Sequence, residues 1–324
     1  MSVLAGPVPR RRVVPVAGVG VAAVVVMVWS SFGPSLDEPL LRTWSTMFIS
    51  LCLQALPFLV VGTTLSGLIA AFVPAGAIER VLPGRPALAV PAAGLAGVAL
   101  PGCECGSVPV AGRLIASGTP PPAALTFLLA APAVNPVVLV ATAVAFPGRP
   151  EVVVARFLAS LATAVVVGWL WLGMGRADLV DRARRRAPAG GPRAEVFRAT
   201  AVHDLLHAGG YLVLGGITAA TLRTLVPPAV LDAIAGTGPV AVLSLAVLAV
   251  VLAICSEADA FVAASLSQFS PTAQLTFMVV GPTVDVKLIA LQAGTFGPAF
   301  TRRFVPLSFV VALTSATVVG SVLL

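Results

Sequence analysis

Nine stretches of about twenty apolar residues follow one another along the chain, and no other feature limits its fold so severely. They lie at 13–32, 44–72, 87–101 with 106–118, 120–146, 151–174, 203–226, 238–268, 272–292 and 303–324. A helix needs roughly 20 apolar residues to cross the hydrocarbon of a bilayer, and each stretch is near or above that length. The short alternating strands of a closed β-barrel are absent. Hydrophobic residues make up 58% of the chain and charged residues 10%, against about 25% charged in a soluble domain. No water-soluble fold buries that much apolar surface, so the surplus must face lipid. The expected class is an all-α polytopic membrane protein of the cell membrane, with the lipid bilayer as its first partner. Two of the nine helical units are interrupted, which leaves about nine to eleven crossings.

The charge that remains is concentrated. The net charge is +7, and all but one of the 20 basic residues are Arg. Arg10, Arg11 and Arg12 precede the first apolar run, while Arg182, Arg184, Arg185, Arg186, Arg193 and Arg198 share one hydrophilic segment. Basic clusters beside membrane spans mark cytoplasmic loops. No aromatic-interleaved basic surface accompanies them, so nucleic acid is not an expected partner. The run at 13–32 is too long for a signal-peptide core and suits a first transmembrane helix. Four segments follow: 1–43, a basic segment with an extra helix; 44–174, a first half; 175–202, a cytoplasmic Arg-rich linker; and 203–324, a second half. Cys52, Cys103, Cys105 and Cys255 all fall in apolar segments, which is not a secreted disulfide framework.

The two halves repeat one another. Leu100–Ala111 lies over Leu252–Ala263, so that Cys103 matches Cys255, Cys105 matches Glu257, and Ser107 matches Asp259. After a two-residue gap, Leu125-Thr126-Phe127 matches Leu275-Thr276-Phe277, Pro132 matches Pro282, and Asn135 matches Asp285. With both Arg clusters cytoplasmic, an even number of crossings lies between them. Removing the first helix leaves an odd number per half, so the repeats are expected to be inverted, with broken helices at their interface.

Two breaks carry the residues with chemistry. In Pro101-Gly102-Cys103-Glu104-Cys105-Gly106-Ser107-Val108-Pro109, glycines and prolines interrupt a helix inside an apolar region, which is tolerated only beside protein or a cavity. Ser107 is the expected N-cap of the helix that follows, and this places Cys103 and Cys105 at a positive helix end. An ionisable group inside a membrane segment costs about 2.5–3.5 kcal/mol. Glu104, Glu257, Asp259 and Asp285 carry that cost, together with Lys287, the only lysine of the chain. A converging polar site is the economical reading, with Glu257, Asp259 and Lys287 as coupling or ion-pair residues. Asp285 and Lys287 are two residues apart and cannot meet on a regular helix. Either the helix unwinds after Pro282, or each pairs with another element; Lys287 is expected opposite Glu257 or Asp259. Thiolates select soft metal and metalloid centres, so Cys103 and Cys105 are metal-ligand candidates, and Cys255 is a third thiol. Asn135, after the Pro132 break, is expected to line the same cavity. Cys52 reads as a small buried hydrophobe, and His203 with His207 as an interfacial helix face. There is no nucleotide-binding loop and no Ser/His/Asp set. The chain is therefore not expected to be an enzyme, and no cofactor is expected.

The sequence from Leu100 to Ala111, the stretch Ala124-Leu-Thr-Phe-Leu-Leu-Ala-Ala-Pro-Ala-Val-Asn-Pro-Val-Val-Leu139, Cys255-Ser-Glu-Ala-Asp-Ala-Phe-Val-Ala-Ala-Ser265 and Gly281-Pro-Thr-Val-Asp-Val-Lys287 resemble the ArsP/YraQ-type permease family over about 44–324. The best-known branch of that family exports trivalent organoarsenicals, and other members are thought to work with a second small membrane subunit. The resemblance implies a permease. Joined to the thiols and acids, it gives the expectation of secondary efflux of a small thiol-reactive solute such as a trivalent organoarsenical, coupled to protons through Glu104, Glu257 or Asp259. The alternative is a metal-cation or small-solute permease within a two-component complex. A thiol redox carrier using Cys103 and Cys105 is a third reading.

Overall fold

The computed structural model describes residues 39–74, 77, 80, 82–99, 103–174, 177–184, 192–225 and 238–324, and every regular element among them is helical. The expected first span at 13–32 and the residues 100–102 lie outside the described residues. Thirteen α-helices are present among those described. The first stretch holds α1 (Pro39–Phe72), α2 (Pro86–Ala96), α3 (Glu104–Ala116), α4 (Pro121–Val134), α5 (Pro136–Ala145) and α6 (Pro150–Met174). A short α7 (Asp181–Arg184) lies in the Arg-rich segment. Then come α8 (Arg193–Leu225), α9 (Pro239–Leu252), α10 (Asp259–Ser265), α11 (Pro271–Thr283), α12 (Val286–Thr295) and α13 (Pro298–Leu323).

Proline does much to set these boundaries. Eight helices begin on it, from Pro39 to Pro298. At the first helical position the missing N–H would be unpaired anyway, and the fixed φ already suits a helix. Among the described residues, five helical stretches are long and apolar enough to cross a membrane: 41–72, 121–145, 150–174, 271–295 and 298–323. Helix α8 starts at Arg193, inside the 175–202 segment expected as a linker. The residues invert the soluble pattern. Val322, Leu53 and Val144 are largely exposed, whereas Glu104, Arg156, Asp285 and Lys287 are buried. In hydrocarbon it is the polar groups that need protein around them.

The long helices α1 and α8 pack on each other. They run antiparallel, since Gly216 approaches Phe48 and Cys52 while Gly67 approaches Phe197 and Ala201. Helices α6 and α13 also pack antiparallel, with Trp171 late in α6 lying 5.2 Å from Phe300 and 5.5 Å from Phe304 near the start of α13. Helix α4 sits between α2 and α6, and α11 sits between α9 and α13. The short helices cross over: α3 packs against α12, and α10 against α5. Small residues permit the closest approaches, as is usual where apolar helices meet in lipid. A Cβ added at Gly62 would lie 2.5 Å from the Gly106 Cα, so α1 and α3 touch backbone to backbone. Gly62→Ala is therefore expected to destabilise the protein by about 1–3 kcal/mol through overpacking. Gly209→Ala, where nothing lies within 4 Å, is expected to leave stability unchanged or raise it slightly; thermal unfolding of the two variants in the same detergent makes the comparison.

Candidate functional site

Three helix breaks meet in the interior. The first precedes α3. Its N-cap is Cys103, with extended backbone at φ −86° and ψ 176°. The helix starts three residues before the expected cap: Ser107 lies inside it, its hydroxyl donating to the Glu104 carbonyl at 3.0 Å. The positive helix end therefore falls on Cys103 and Glu104 themselves. The second break follows α9, where Ala253 adopts the left-handed conformation at φ 48° and ψ 45°. It is the only non-glycine residue at positive φ among those described, a conformation that costs a side-chain-bearing residue energy. The turn that follows presents Cys255, Ser256 and Glu257. The third break separates α11 from α12. Asp285 is extended there (φ −142°, ψ 167°) and caps α12, its Oδ1 accepting from the Leu288 N–H at 2.6 Å.

Lys287 joins these breaks. It pairs directly with Glu104, lies 3.0 Å from Asp285 Oδ2 and donates to Cys255 Sγ at 3.8 Å. This corrects the expected pairing with Glu257 or Asp259. Asp285 stands outside the helix, so the two-residue spacing that forbids a contact on a regular helix does not apply. Cys103, Glu104 and Cys255 each place a ligand-type atom within 4.8 Å of the others. Cys103, Cys105 and Cys255 are all buried in the same apolar cluster. The metal-type grouping of three among the described residues is thus Cys103, Glu104 and Cys255.

The acids divide. Asp259 pairs with Arg156 at 2.8 Å, and Arg156 also donates to Thr142 Oγ1 at 2.8 Å and to the Ser256 carbonyl at 3.1 Å. Both Glu257 carboxylate oxygens are buried without a hydrogen-bond partner among the described residues, as are Glu104 Oε2 and Asp259 Oδ1. Asn135 bonds locally, accepting from the Val138 N–H at 3.0 Å and donating to the Ala131 carbonyl at 2.9 Å. It caps α5 as Asp285 caps α12. Cys52 is half-buried on α1 beside α8. His203 and His207 stack at 5.9 Å, and neither enters a metal-type grouping among the described residues.

The family model ArsP_1, described as a predicted permease, matches residues 40–323. The chain belongs to this permease family. It is 34% identical over 282 residues to the UPF0718 protein YcgR of Bacillus subtilis (strain 168), covering 85% of this chain and 96% of the relative. It is 30% identical over 287 residues to a Streptococcus mutans protein provisionally named as a two-component membrane permease complex subunit, covering 85% and 94%. No solved structure matches. The protein is therefore a multi-pass membrane protein of a permease family.

Arg156 is one of the buried charges of this permease's interior that the sequence reading does not single out. Its signal is the same one that singles out the acids, an ionisable group inside an apolar run, here 151–174. Reading arginine only as a loop anchor hides it. Removing one partner of a buried ion pair strands the other charge, at about 3–5 kcal/mol. Lys287→Met is expected to destabilise by that amount and Lys287→Met/Glu104→Gln by less; chemical denaturation in detergent measures both.

Proposed function

We propose that this permease exports a small, soft, thiol-reactive solute by secondary transport, with trivalent organoarsenicals as the substrate class to test first. The observation that carries the reading is the buried grouping of Cys103, Cys255 and Glu104 within 4.8 Å, drawn from two separate helix breaks. Thiols bind soft centres and exchange them, and transport requires binding weak enough for release. Two thiols and one carboxylate on separate breaks form an open set that a small shift between the breaks would loosen. The acids supply the coupling. Glu104, Glu257, Asp259 and Asp285 face only Lys287 and Arg156, a formal excess of two negative charges in a region where uncompensated charge is expensive. Protons balance that excess, and Glu257, with both oxygens unpartnered, is the residue we assign to carry one. The antiparallel packing of α1 on α8 and of α6 on α13 supports reading 44–174 and 203–324 as inverted repeats around this centre.

Everted membrane vesicles test the reading directly. ATP-independent accumulation of methylarsenite is expected with the wild type and lost in Cys103→Ser/Cys255→Ser, with zinc run in parallel. Glu257→Gln is expected to retain substrate binding while its transport no longer responds to an imposed pH gradient; proton-coupled flux in that variant would remove Glu257 from the role.

A second reading rests on the name of the Streptococcus mutans relative: the chain is one subunit of a two-component permease, and its acids hold a metal cation. It predicts that a small membrane protein co-purifies in mild detergent, and that vesicles lacking it transport neither methylarsenite nor zinc.

A further inference from the structure

A second buried polar cluster lies away from the thiols and takes no part in the mechanism above. Arg113 of α3 pairs with Asp204 of α8 at 3.3 Å, and both side chains are 5% exposed. Ser66 of α1 donates to Asp204 Oδ2 at 2.6 Å and accepts from Arg113 Nε at 3.4 Å. Three helices are thus tied at one level by charge. Asp204 Oδ1 is buried with no hydrogen-bond partner among the described residues, so the cluster is not saturated as a purely structural pair would be.

Its position relative to the thiol centre is fixed by the packing. Helices α3 and α12 run side by side and parallel. Glu104 meets Lys287 at their N-terminal ends, and a Cβ at Gly112 would meet Thr295 at 2.9 Å at their C-terminal ends. Arg113 sits at that second end, nine residues and about 13 Å of helix beyond Glu104. Helix α8 covers the same end from the other side, His207 bonding the Gly294 carbonyl at 3.0 Å. Just past α12, a Cβ at Gly297 would meet Arg182 Cδ at 3.7 Å, and α7 packs on α3. Both contacts come from the Arg-rich segment, which the positive-inside rule assigns to the cytoplasm.

We infer that Ser66, Arg113 and Asp204 are gating residues of the transport cycle, closing the cytoplasmic side of the path to the Cys103–Glu104–Cys255 centre. The pair holds the C-terminal end of α3 against α1 and α8. Its separation frees α3 to move, and with it the break that carries Cys103 and Glu104. The inference rests on the permease assignment and on no particular solute, so its test needs no transported substrate.

The test measures how fast Cys103 and Cys255 react with a membrane-impermeant charged maleimide, in a Cys52→Ser background. Everted vesicles expose the cytoplasmic face and right-side-out vesicles the other. Asp204→Asn is expected to raise the cytoplasmic-side rate by about tenfold and leave the opposite side no faster. The exchanged pair Arg113→Asp/Asp204→Arg is expected to slow it again. An unchanged cytoplasmic-side rate, or an equal rise from both faces, overturns the inference, the latter because it reports a loosened fold. Should Asp204→Asn not survive purification, Ser66→Ala removes one hydroxyl and is expected to give a smaller rise on the same face only; no rise there likewise overturns it. Methylarsenite transport can fail in every variant without affecting this outcome.

Discussion

The ammonium of Lys287 ties together three interruptions of helix that lie far apart in the chain. Glu104 reaches it from the start of α3, Asp285 from the cap of α12, and Cys255 from the turn after α9. Each of these segments is an interruption of helix inside an apolar region, where exposed backbone and charge are both costly. None is stable alone in lipid. Brought together, Lys287 supplies a cation for two carboxylates, one of them from another segment, and a donor for the Cys255 thiol. The polar centre and the broken helices therefore depend on each other.

The two ionic centres differ in what they leave unsatisfied. Around Lys287 and Arg156, most of the unpartnered atoms among the described residues are carboxylate oxygens, acceptors while the acids are ionised, beside the Ser256 hydroxyl and one donor, Arg156 Nε. Such a surplus of acceptors is chemistry waiting for a proton or a cation. Around Arg113 the three groups largely answer each other, tying α1, α3 and α8 at one level. The first arrangement suits binding and the second suits holding. They stand at opposite ends of the same short helix, α3.

Much of this was legible in the sequence, for identifiable reasons. Hydropathy locates the spans because a crossing has a fixed length, and proline marks their starts because eight helices begin on it. The unwinding before Lys287 was readable as one of two alternatives, since two residues on one helix cannot meet at that spacing. The start of α3 was not readable. Serine is a favoured cap and cysteine is not, yet Cys103 takes the position because Ser107 bonds back to Glu104 within the helix. The partner of Lys287 was out of reach for a different reason. Glu104 is 183 residues away, and the packing that joins them, α3 against α12, leaves no local trace. Arg156, Arg113 and Asp204 were visible as charges within apolar runs, but arginine had a competing explanation as a topology signal.

Backbone contact between α1 and α3 at Gly62 and Gly106 has a mechanical meaning. Most helix pairs interlock through side chains, so that moving one past the other means lifting each knob out of its hole. Where two glycines face each other there is nothing to lift. The crossing is a smooth bearing, a contact that favours shear over interlocking. Helix α3 carries Cys103 and Glu104 at one end and Arg113 at the other, and it rides on that bearing. Pro109 lies between those ends and removes one backbone hydrogen bond from the helix, so α3 has a joint as well as a bearing.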